Sequence, residues 1–257
     1  MDEDTVQALK AEHGFAEWAD RNTLPEGLFF RNFFLSESLL EGWRLLRATP
    51  IRMPGAPPLV QSLWTPEAGP AEAVLRLDVY ECDSRRTAHE LLIRLVGQFQ
   101  AAPVNRRDEL GVGDVNFTPL GDGGIVFSRG NLVLSLGRAG TAPVPVLEVA
   151  RQLDRTLTER PVPPGAAARR ARAAGRVRLA RQGGRRVLEM ESPEAESQSY
   201  KIFTPGGDVR AEGDRLVYEP VREGAEVDRE GTEEIEVFSI DPQGNADRQT
   251  VLPPGSE

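Results

Sequence analysis

The stretch 73–100, AVLRLDVYECDSRRTAHELLIRLVGQFQ, carries the most regular pattern in this chain. Apolar and polar residues alternate over positions 75–80, which is the period of two of a β-strand with one buried face. Asp83 or Ser84 can then cap a helix with one apolar face. A strand and a helix that each bury one face need further strands, so the pattern predicts an α+β domain with an antiparallel sheet and packed helices. The predicted apolar face of the helix is Ala88, Leu91, Leu92, Leu95, Val96 and Phe99.

Length and charge narrow the classes of protein to consider. The chain has 257 residues and a net charge of −9, which suits one large domain or two ordinary ones and argues against a general nucleic-acid binder. No stretch approaches the ~20 apolar residues that cross a bilayer, and the acidic start is unlike a secretion signal. We therefore expect no transmembrane segment, although a signal removed earlier is compatible with this sequence.

Few cysteine and histidine residues are available for catalytic or metal chemistry, whereas carboxylates are numerous and the sequence alone does not single out an acid/base pair. Cys82 is the only cysteine, and His13 and His89 are the only histidines, so a disulfide or a His/Cys metal cluster cannot form within the chain. The common nucleotide-binding and hydrolase motifs are absent, and we expect no cofactor. A Cys82–His89 pair at the helix start is one candidate reactive site. A buried structural thiol is the favoured interpretation, because the intervening strand end and helical turns leave no obvious path between the side chains.

An aromatic cluster follows a predicted helix at residues 3–20. Large apolar groups are mostly interior, so the favoured interpretation is that the cluster packs this helix onto the sheet. The alternative is an exposed patch that binds another protein. The candidate partner-binding residues of this patch are Phe29, Phe30, Phe33 and Phe34.

The remainder of the first domain, residues 1–159, is predicted as strands and a closing helix. Glycine-containing turns between the last three strands predict an antiparallel meander. The predicted strands are 42–51, 59–65, 115–118, 125–128 and 132–136, and the closing helix covers 146–157.

Residues 160–175 form a predicted linker rich in proline and arginine. The wider stretch 160–186 carries a net charge of +9, between bodies of −6 and −12. One interpretation is a solvated linker that also neutralises its acidic neighbours, and the other is a contact with an anionic surface. The candidate residues for that contact are Arg169, Arg170 and Arg172.

Residues 176–252 alternate with a period of two, and residues 253–257 form a short tail. Turn residues separate the alternating segments at spacings typical of an all-β sandwich. The predicted strands are 177–181, 186–190, 200–203, 215–219, 234–240 and 248–252.

Turn motifs in this last third carry a resemblance to a known family. They are Tyr200-Lys-Ile-Phe, Gly206-Gly207-Asp-Val209, Glu212-Gly213-Asp214-Arg-Leu216-Val-Tyr218-Glu-Pro220 and Asp241-Pro-Gln-Gly244-Asn245. The segment resembles bacterial immunoglobulin-like domains of the Big/PKD type, although Tyr200 stands where those domains commonly have tryptophan. The resemblance implies a spacer or interaction module, usually outside the cytoplasm, and brings no catalytic residues.

These observations predict a non-enzymatic binding or accessory protein, and the immunoglobulin-like resemblance alone implies the periplasm or the extracellular space. Its expected partner is another protein, and the β-sandwich is expected to act as a spacer or docking module. A second hypothesis is an enzyme or accessory subunit with a cleft site in the first domain, near the loops around Asp83 and Asp114. A third hypothesis is a structural component of a larger assembly, and the cytoplasm is the second location that the sequence allows.

Overall fold

The structure is a computed structural model, and the chain in it divides into two compact units. Unit 1 comprises residues 1–19 and 35–159, and unit 2 comprises residues 20–34 and 160–257. Within these units, the residues that the structure describes are 3–14, 27–98, 104–119, 123–161, 176–182, 184–191, 198–204, 207–213, 215–220, 235–241 and 246–251.

The described residues form antiparallel sheets with helices, as the sequence predicts for the coarse fold class. In chain order the elements are α1 (Glu3–Glu12), β1 (Gly27–Arg31), β2 (Trp43–Ile51), β3 (Leu59–Pro66), β4 (Leu75–Glu81), α2 (Arg85–Val96), β5 (Val104–Arg106), β6 (Val115–Pro119), β7 (Gly124–Arg129), β8 (Leu132–Arg138), α3 (Val146–Thr158), β9 (Arg176–Gln182), β10 (Arg185–Glu191), β11 (Ser199–Thr204), β12 (Gly207–Glu212), β13 (Arg215–Pro220), β14 (Ile235–Ile240) and β15 (Ala246–Val251). None of the helices among these residues is long and apolar enough to cross a membrane.

The regular stretch after position 73 forms β4 and α2. Ser84 caps α2: its Oγ accepts from the amide of Thr87 at 3.1 Å, while the Thr87 Oγ1 accepts from the amide of Ser84 at 2.9 Å. This reciprocal pair occupies backbone donors that a helix start leaves free, which explains why the helix begins here. Of the two predicted caps, the structure therefore selects Ser84.

Unit 1 is built on a seven-stranded antiparallel sheet with the order β2-β3-β4-β8-β7-β6-β5. Strands β6, β7 and β8 form the predicted meander, and β8 pairs with β4 near the centre. Helices α1 and α2 share one core with side chains from one sheet face, and α3 lies on the opposite face. Apolar residues at helical spacing bury one side of α3, as predicted: Val146, Val149, Ala150, Leu153 and Leu157.

Unit 2 contains two four-stranded antiparallel sheets, β1-β11-β14-β15 and β12-β13-β10-β9. Their facing sides contribute to a single apolar core that includes Ile202, Leu188 and Leu216. The sequence patterns did not indicate strand β12, whose first residues were interpreted as a turn, or the short strand β5 of unit 1. Both segments are too short or too polar for a clear periodic signal.

Strand β1 belongs to unit 2, which corrects the expectation that the aromatic cluster packs onto the first domain. It pairs with β11 from Gly27 opposite Thr204 to Arg31 opposite Tyr200. Phe29 lies in the core of unit 2 and is 2% exposed. A strand of this length makes its hydrogen bonds with whichever sheet offers an open edge, and nothing in its own residues identifies that sheet.

The beginning of β1 leaves no room for a side chain. A Cβ on Gly27 would lie 2.2 Å from the Thr204 Oγ1 and 2.3 Å from the carbonyl oxygen of Gly207. The Thr204 hydroxyl itself donates to that carbonyl at 2.6 Å. Glycine at position 27 therefore lets β1 approach Thr204 and Gly207 closely.

Several sequence predictions lie outside the described residues. They are Phe15, Trp18, Phe99, the connector from position 162 to position 175, and the turn positions 121, 122, 244 and 245.

We expect Phe29→Ala to lower the stability of unit 2 by about 3–5 kcal/mol, because it removes a buried aromatic ring from the core. Hydrogen exchange at the backbone amides of β11 and β14 would measure this loss. Tryptophan fluorescence should change little, because Trp43 and Trp64 are buried in unit 1 and unit 2 contains no tryptophan.

The control for Phe29→Ala is Phe117→Ala, which removes a buried ring from the core of unit 1 that α1 and α2 share with the sheet. It should shift the tryptophan transition and leave exchange in β11 close to that of the unchanged protein. If Phe29→Ala moved the tryptophan transition while β11 stayed protected, the placement of β1 in unit 2 would be wrong.

Candidate functional site

The described part of unit 1 contains a half-open cleft of about 730 Å³ on the sheet face that carries α3. Its floor comes from β6 and β7, its walls come from the first turn of α3 and the segment before it, and β5 and the end of β8 close the sides. The lining residues are Asn105, Arg107, Leu110, Thr118, Pro119, Gly124, Ile125, Arg138, Pro143, Val144, Pro145, Val146, Leu147, Glu148 and Arg151. The volume lies within the range of small-molecule sites.

The cleft combines an apolar surface with positive charge. Arg107, Arg138 and Arg151 line it, and Glu148 is the one acidic residue in the described lining. Arg107 pairs with Glu109, whereas among the described residues Arg151 donates one long bond, of 3.4 Å, to the carbonyl of Leu110. Arg138 has no carboxylate partner within the described ranges. The lining is thus basic although the whole chain carries −9.

A buried ion network anchors α3 to the sheet at the opposite end from the cleft. Arg129, at the end of β7, donates from Nε and Nη2 to the two carboxylate oxygens of Asp154 on α3, both at 2.7 Å. Its Nη1 donates to Asp114 at 2.8 Å. The second oxygen of Asp114 accepts from the amide of Gly130 at 2.8 Å and lies 3.4 Å from the Arg85 Nε on α2. One arginine therefore joins the sheet, α3 and the loop before β6.

The charges in this network are kept in place by hydrogen bonds. Burial alone would lower the pKa of Arg129, but hydrogen bonds to Asp154 and the charges of Asp114 and Asp154 outweigh it and raise the pKa. Backbone geometry brings Asp114 to this position. Gly113 adopts φ +72°, and a Cβ there would lie 2.5 Å from the carbonyl oxygen of Ser128. Only glycine accommodates both constraints.

Cys82 and His89 do not form a reactive pair. Burial, together with the nearby carboxylates of Asp83 and Glu81, raises the pKa of the Cys82 thiol to about 12, so it stays protonated. Burial lowers the pKa of His89 to about 4 despite the opposing charge of Asp114. His89 lies on α2, and Cys82 packs in the core beneath that helix, on the sheet face opposite the cleft. The structure supports the interpretation of Cys82 as a buried structural thiol.

The structure divides the predicted aromatic patch into two pairs. Phe29 and Phe30 are buried, at 2% and 3% exposure, so neither presents a ring to a partner. Phe33 and Phe34 are half-buried, and the Phe33 ring packs edge-on against Phe30 at 5.6 Å between centroids. The sequence favoured burial of the whole cluster and left an exposed patch as the alternative; the structure buries Phe29 and Phe30 and leaves Phe33 and Phe34 half-buried.

Three described arginines of the basic stretch pair with acids of unit 2, and Arg186 lies 5.9 Å from the centre of the Tyr218 ring. Arg160 pairs with Glu236 and lies 4.5 Å from the centre of the Phe203 ring. Arg178 pairs with Glu189 at 2.6 Å, and Arg185 with Glu212 at 3.1 Å. Arg169, Arg170 and Arg172 lie outside the described residues.

Of the two loops named for a possible cleft site, Asp114 is central to the buried network and Asp83 is exposed. Neither lines the cleft. Sequence reasoning missed the three arginines of the cleft because they lie more than ten residues apart in the chain, which contains 29 arginines in total. Pro143 and Pro145 precede α3 and mark its start in the sequence, so the position of this cleft wall could have been predicted. The prolines do not indicate which ligand the cleft binds.

Comparisons with known proteins and a search for metal sites add no assignment. No protein-family model matches this chain, and the curated proteins and the solved structures gave no match. In the part of the chain that the structure describes, no group of three or more His, Cys, Asp or Glu side chains is arranged to hold a metal ion.

We expect Arg129→Met to destabilise unit 1 by about 3–5 kcal/mol, because it leaves the buried carboxylate of Asp154 without its cation. Urea denaturation followed by tryptophan fluorescence would measure the loss. Arg86→Met is the matched control: Arg86 pairs with Glu90 on the exposed side of α2, and removing such a pair costs about 0–1 kcal/mol. Equal effects of the two substitutions would show that the Arg129 network does not anchor α3.

His89 should contribute to the pH dependence of stability. Its pKa is about 4 when folded and 6.5 in the reference state, so between these values the unfolded chain takes up a proton that the folded chain does not. The free energy of unfolding should therefore fall as pH decreases through this window, by at most about 1.4 kcal/mol per pH unit from this residue.

In the His89→Gln variant that contribution is absent, so stability should decline less steeply over the same window. Urea midpoints at several pH values, read by tryptophan fluorescence, give both slopes. The slope is the measured quantity because the substitution can also change stability at every pH. Parallel curves for the two proteins would contradict the assignment of this pH dependence to His89.

Proposed function

We propose that this chain is a non-enzymatic binding protein whose unit 1 holds a small ligand in the α3 cleft. The observation that carries the proposal is the cleft itself: about 730 Å³, open to solvent on one side, and lined by both apolar residues and polar residues, three of which are arginines. Concave sites of this size that combine apolar walls with a small number of polar groups are the usual form of ligand pockets.

The chemistry around the cleft favours binding over reaction. Its lining residues include donors, arginines and one carboxylate, and neither histidine nor cysteine is among them. The two groups with strongly displaced pKa values, Cys82 and His89, are buried on the other face of the sheet. There they are held in their uncharged forms and are separated from the cleft by the sheet.

Unit 2 is proposed to act as a spacer or docking module. Its two sheets close around one apolar core, and the outward side chains of β9, β10, β12 and β13 are paired in alternating charges, such as Arg178 with Glu189 and Arg210 with Glu219. Such a surface favours solubility. The resemblance of residues 176–252 to bacterial immunoglobulin-like domains supports this role and a periplasmic or secreted setting.

A protein partner is a second proposed ligand of this chain, at a site distinct from the cleft. Phe33 and Phe34 are the two members of the aromatic cluster that keep partly exposed rings. Phe33→Ser with Phe34→Ser tests that contact, and the buried Phe29 and Phe30 do not belong in such a test.

Leu147→Trp should abolish ligand binding, because Leu147 is a half-buried residue of the cleft wall and an indole would occupy the cavity. The measurement is a backbone NMR titration of the full chain with a library of neutral, cationic and anionic fragments. In the unchanged protein, the backbone amides of Thr118, Val144 and Leu147 should show the largest chemical-shift changes when fragments are added. These changes should disappear in the variant.

Leu46→Trp is the matched control, because Leu46 is 47% exposed on β2, away from the cleft lining. It should bind fragments as the unchanged protein does. If the fragments change chemical shifts of amides outside the cleft, or still change those of the cleft in Leu147→Trp, this cleft is not the binding site.

A further inference from the structure

We propose that the α3 cleft binds a small organic anion, with a carboxylate or phosphate monoester held by arginine and an apolar body against the floor. This inference rests on the proposed function and names the ligand class of that site. The shared chemistry is an oxyanion attached to an apolar group.

The charge of the lining is the first support. Three guanidinium groups and one carboxylate give the described lining a net positive charge, within a chain of −9. Arg138 has no carboxylate partner among the described residues, and Arg151 makes only its 3.4 Å bond to a carbonyl. Both can therefore offer donors to a ligand, and guanidinium groups pair with carboxylates and phosphates through two parallel hydrogen bonds.

The rigidity of the elements that carry these arginines is the second support. Arg138 ends β8, where its backbone pairs with Leu75 in β4. Arg151 lies three positions before Asp154 on α3, so the bonds from Arg129 to Asp154 fix the helix that carries it. Arg107 follows β5, and its amide donates to the carbonyl of Asn116 at 3.2 Å. Donors held by packed elements lose little conformational freedom when a ligand binds.

The apolar part of the cleft distinguishes an organic anion from an inorganic one. Ile125 is buried at the floor, Val146 is buried in the wall, and Val144 and Leu147 are half-buried in the wall. A free inorganic ion would leave this surface in contact with water. A ligand with an aromatic or aliphatic body covers it and gains the free energy of removing apolar surface from water.

The test is calorimetric titration of the full chain with four probes: benzoate, phenyl phosphate, benzyl alcohol and inorganic phosphate. We expect benzoate or phenyl phosphate to bind about tenfold or more tightly than both benzyl alcohol and inorganic phosphate. The stronger of the two anions identifies the oxyanion as carboxylate or phosphate. Added salt should weaken their binding, because the contact is between charges.

The variant Arg138→Gln with Arg151→Gln should lower the affinity for the preferred anion by about tenfold or more and leave the weak binding of benzyl alcohol unchanged. Arg155→Gln is the matched control, since Arg155 is an exposed arginine on α3 outside the cleft lining. It should bind as the unchanged protein does. Tryptophan fluorescence confirms that each variant is folded.

Failure of this inference differs from failure of the proposed function. If benzyl alcohol binds in the cleft as tightly as the anions, or if the double variant and Arg155→Gln behave alike, the anion assignment is wrong while the cleft remains a binding site. If only inorganic phosphate binds, the proposal that the ligand carries an apolar organic group is wrong. If no probe shifts the cleft residues in the NMR titration, both proposals are overturned.

Discussion

The position of α3 depends on one arginine held between two carboxylates. Arg129 is about nine-tenths buried, and moving its charge out of water is compensated only because Asp154 and Asp114 supply hydrogen bonds and opposite charge together. Asp154 lies near the end of α3, whereas the first turn of the same helix forms a wall of the cleft. Because a helix moves as a rigid rod, an anchor at its end also sets the width of the cleft at its beginning.

The sheet of unit 1 separates two environments with different electrostatics. On the α2 face, desolvation keeps Cys82 protonated and His89 neutral, so the side chains with intrinsic reactivity are in their uncharged forms. On the α3 face, the end of the sheet opens to solvent between arginines. An apolar core under α2 supports the sheet from one side, and the cleft beside α3 opens on the other. The proposed site is therefore separated by the sheet from Cys82 and His89.

Unit 2 uses residues from two distant parts of the chain, and its charges are mostly satisfied internally. Strand β1 supplies Phe29 to a core that is otherwise formed by residues after position 176. Three described arginines of the basic stretch, Arg160, Arg178 and Arg185, pair with acids of the same unit, so part of the charge contrast between these segments is neutralised within unit 2. A run of like charges in the sequence can therefore be a set of cross-strand partners, because residues on neighbouring strands meet at about 5 Å.

Local patterns in the sequence determined the helices and most strands of this protein. The alternation in β4, the cap at Ser84 and the apolar face of α3 each depend on residues within a few positions of one another. They can therefore be predicted from the sequence without knowing the fold. Tertiary structure alone decided that β1 joins unit 2, that Arg129 meets Asp154, and that Arg107, Arg138 and Arg151 surround one cleft. The physical reason is that a strand edge and an arginine accept any partner of suitable geometry, and only folding brings one particular partner within reach.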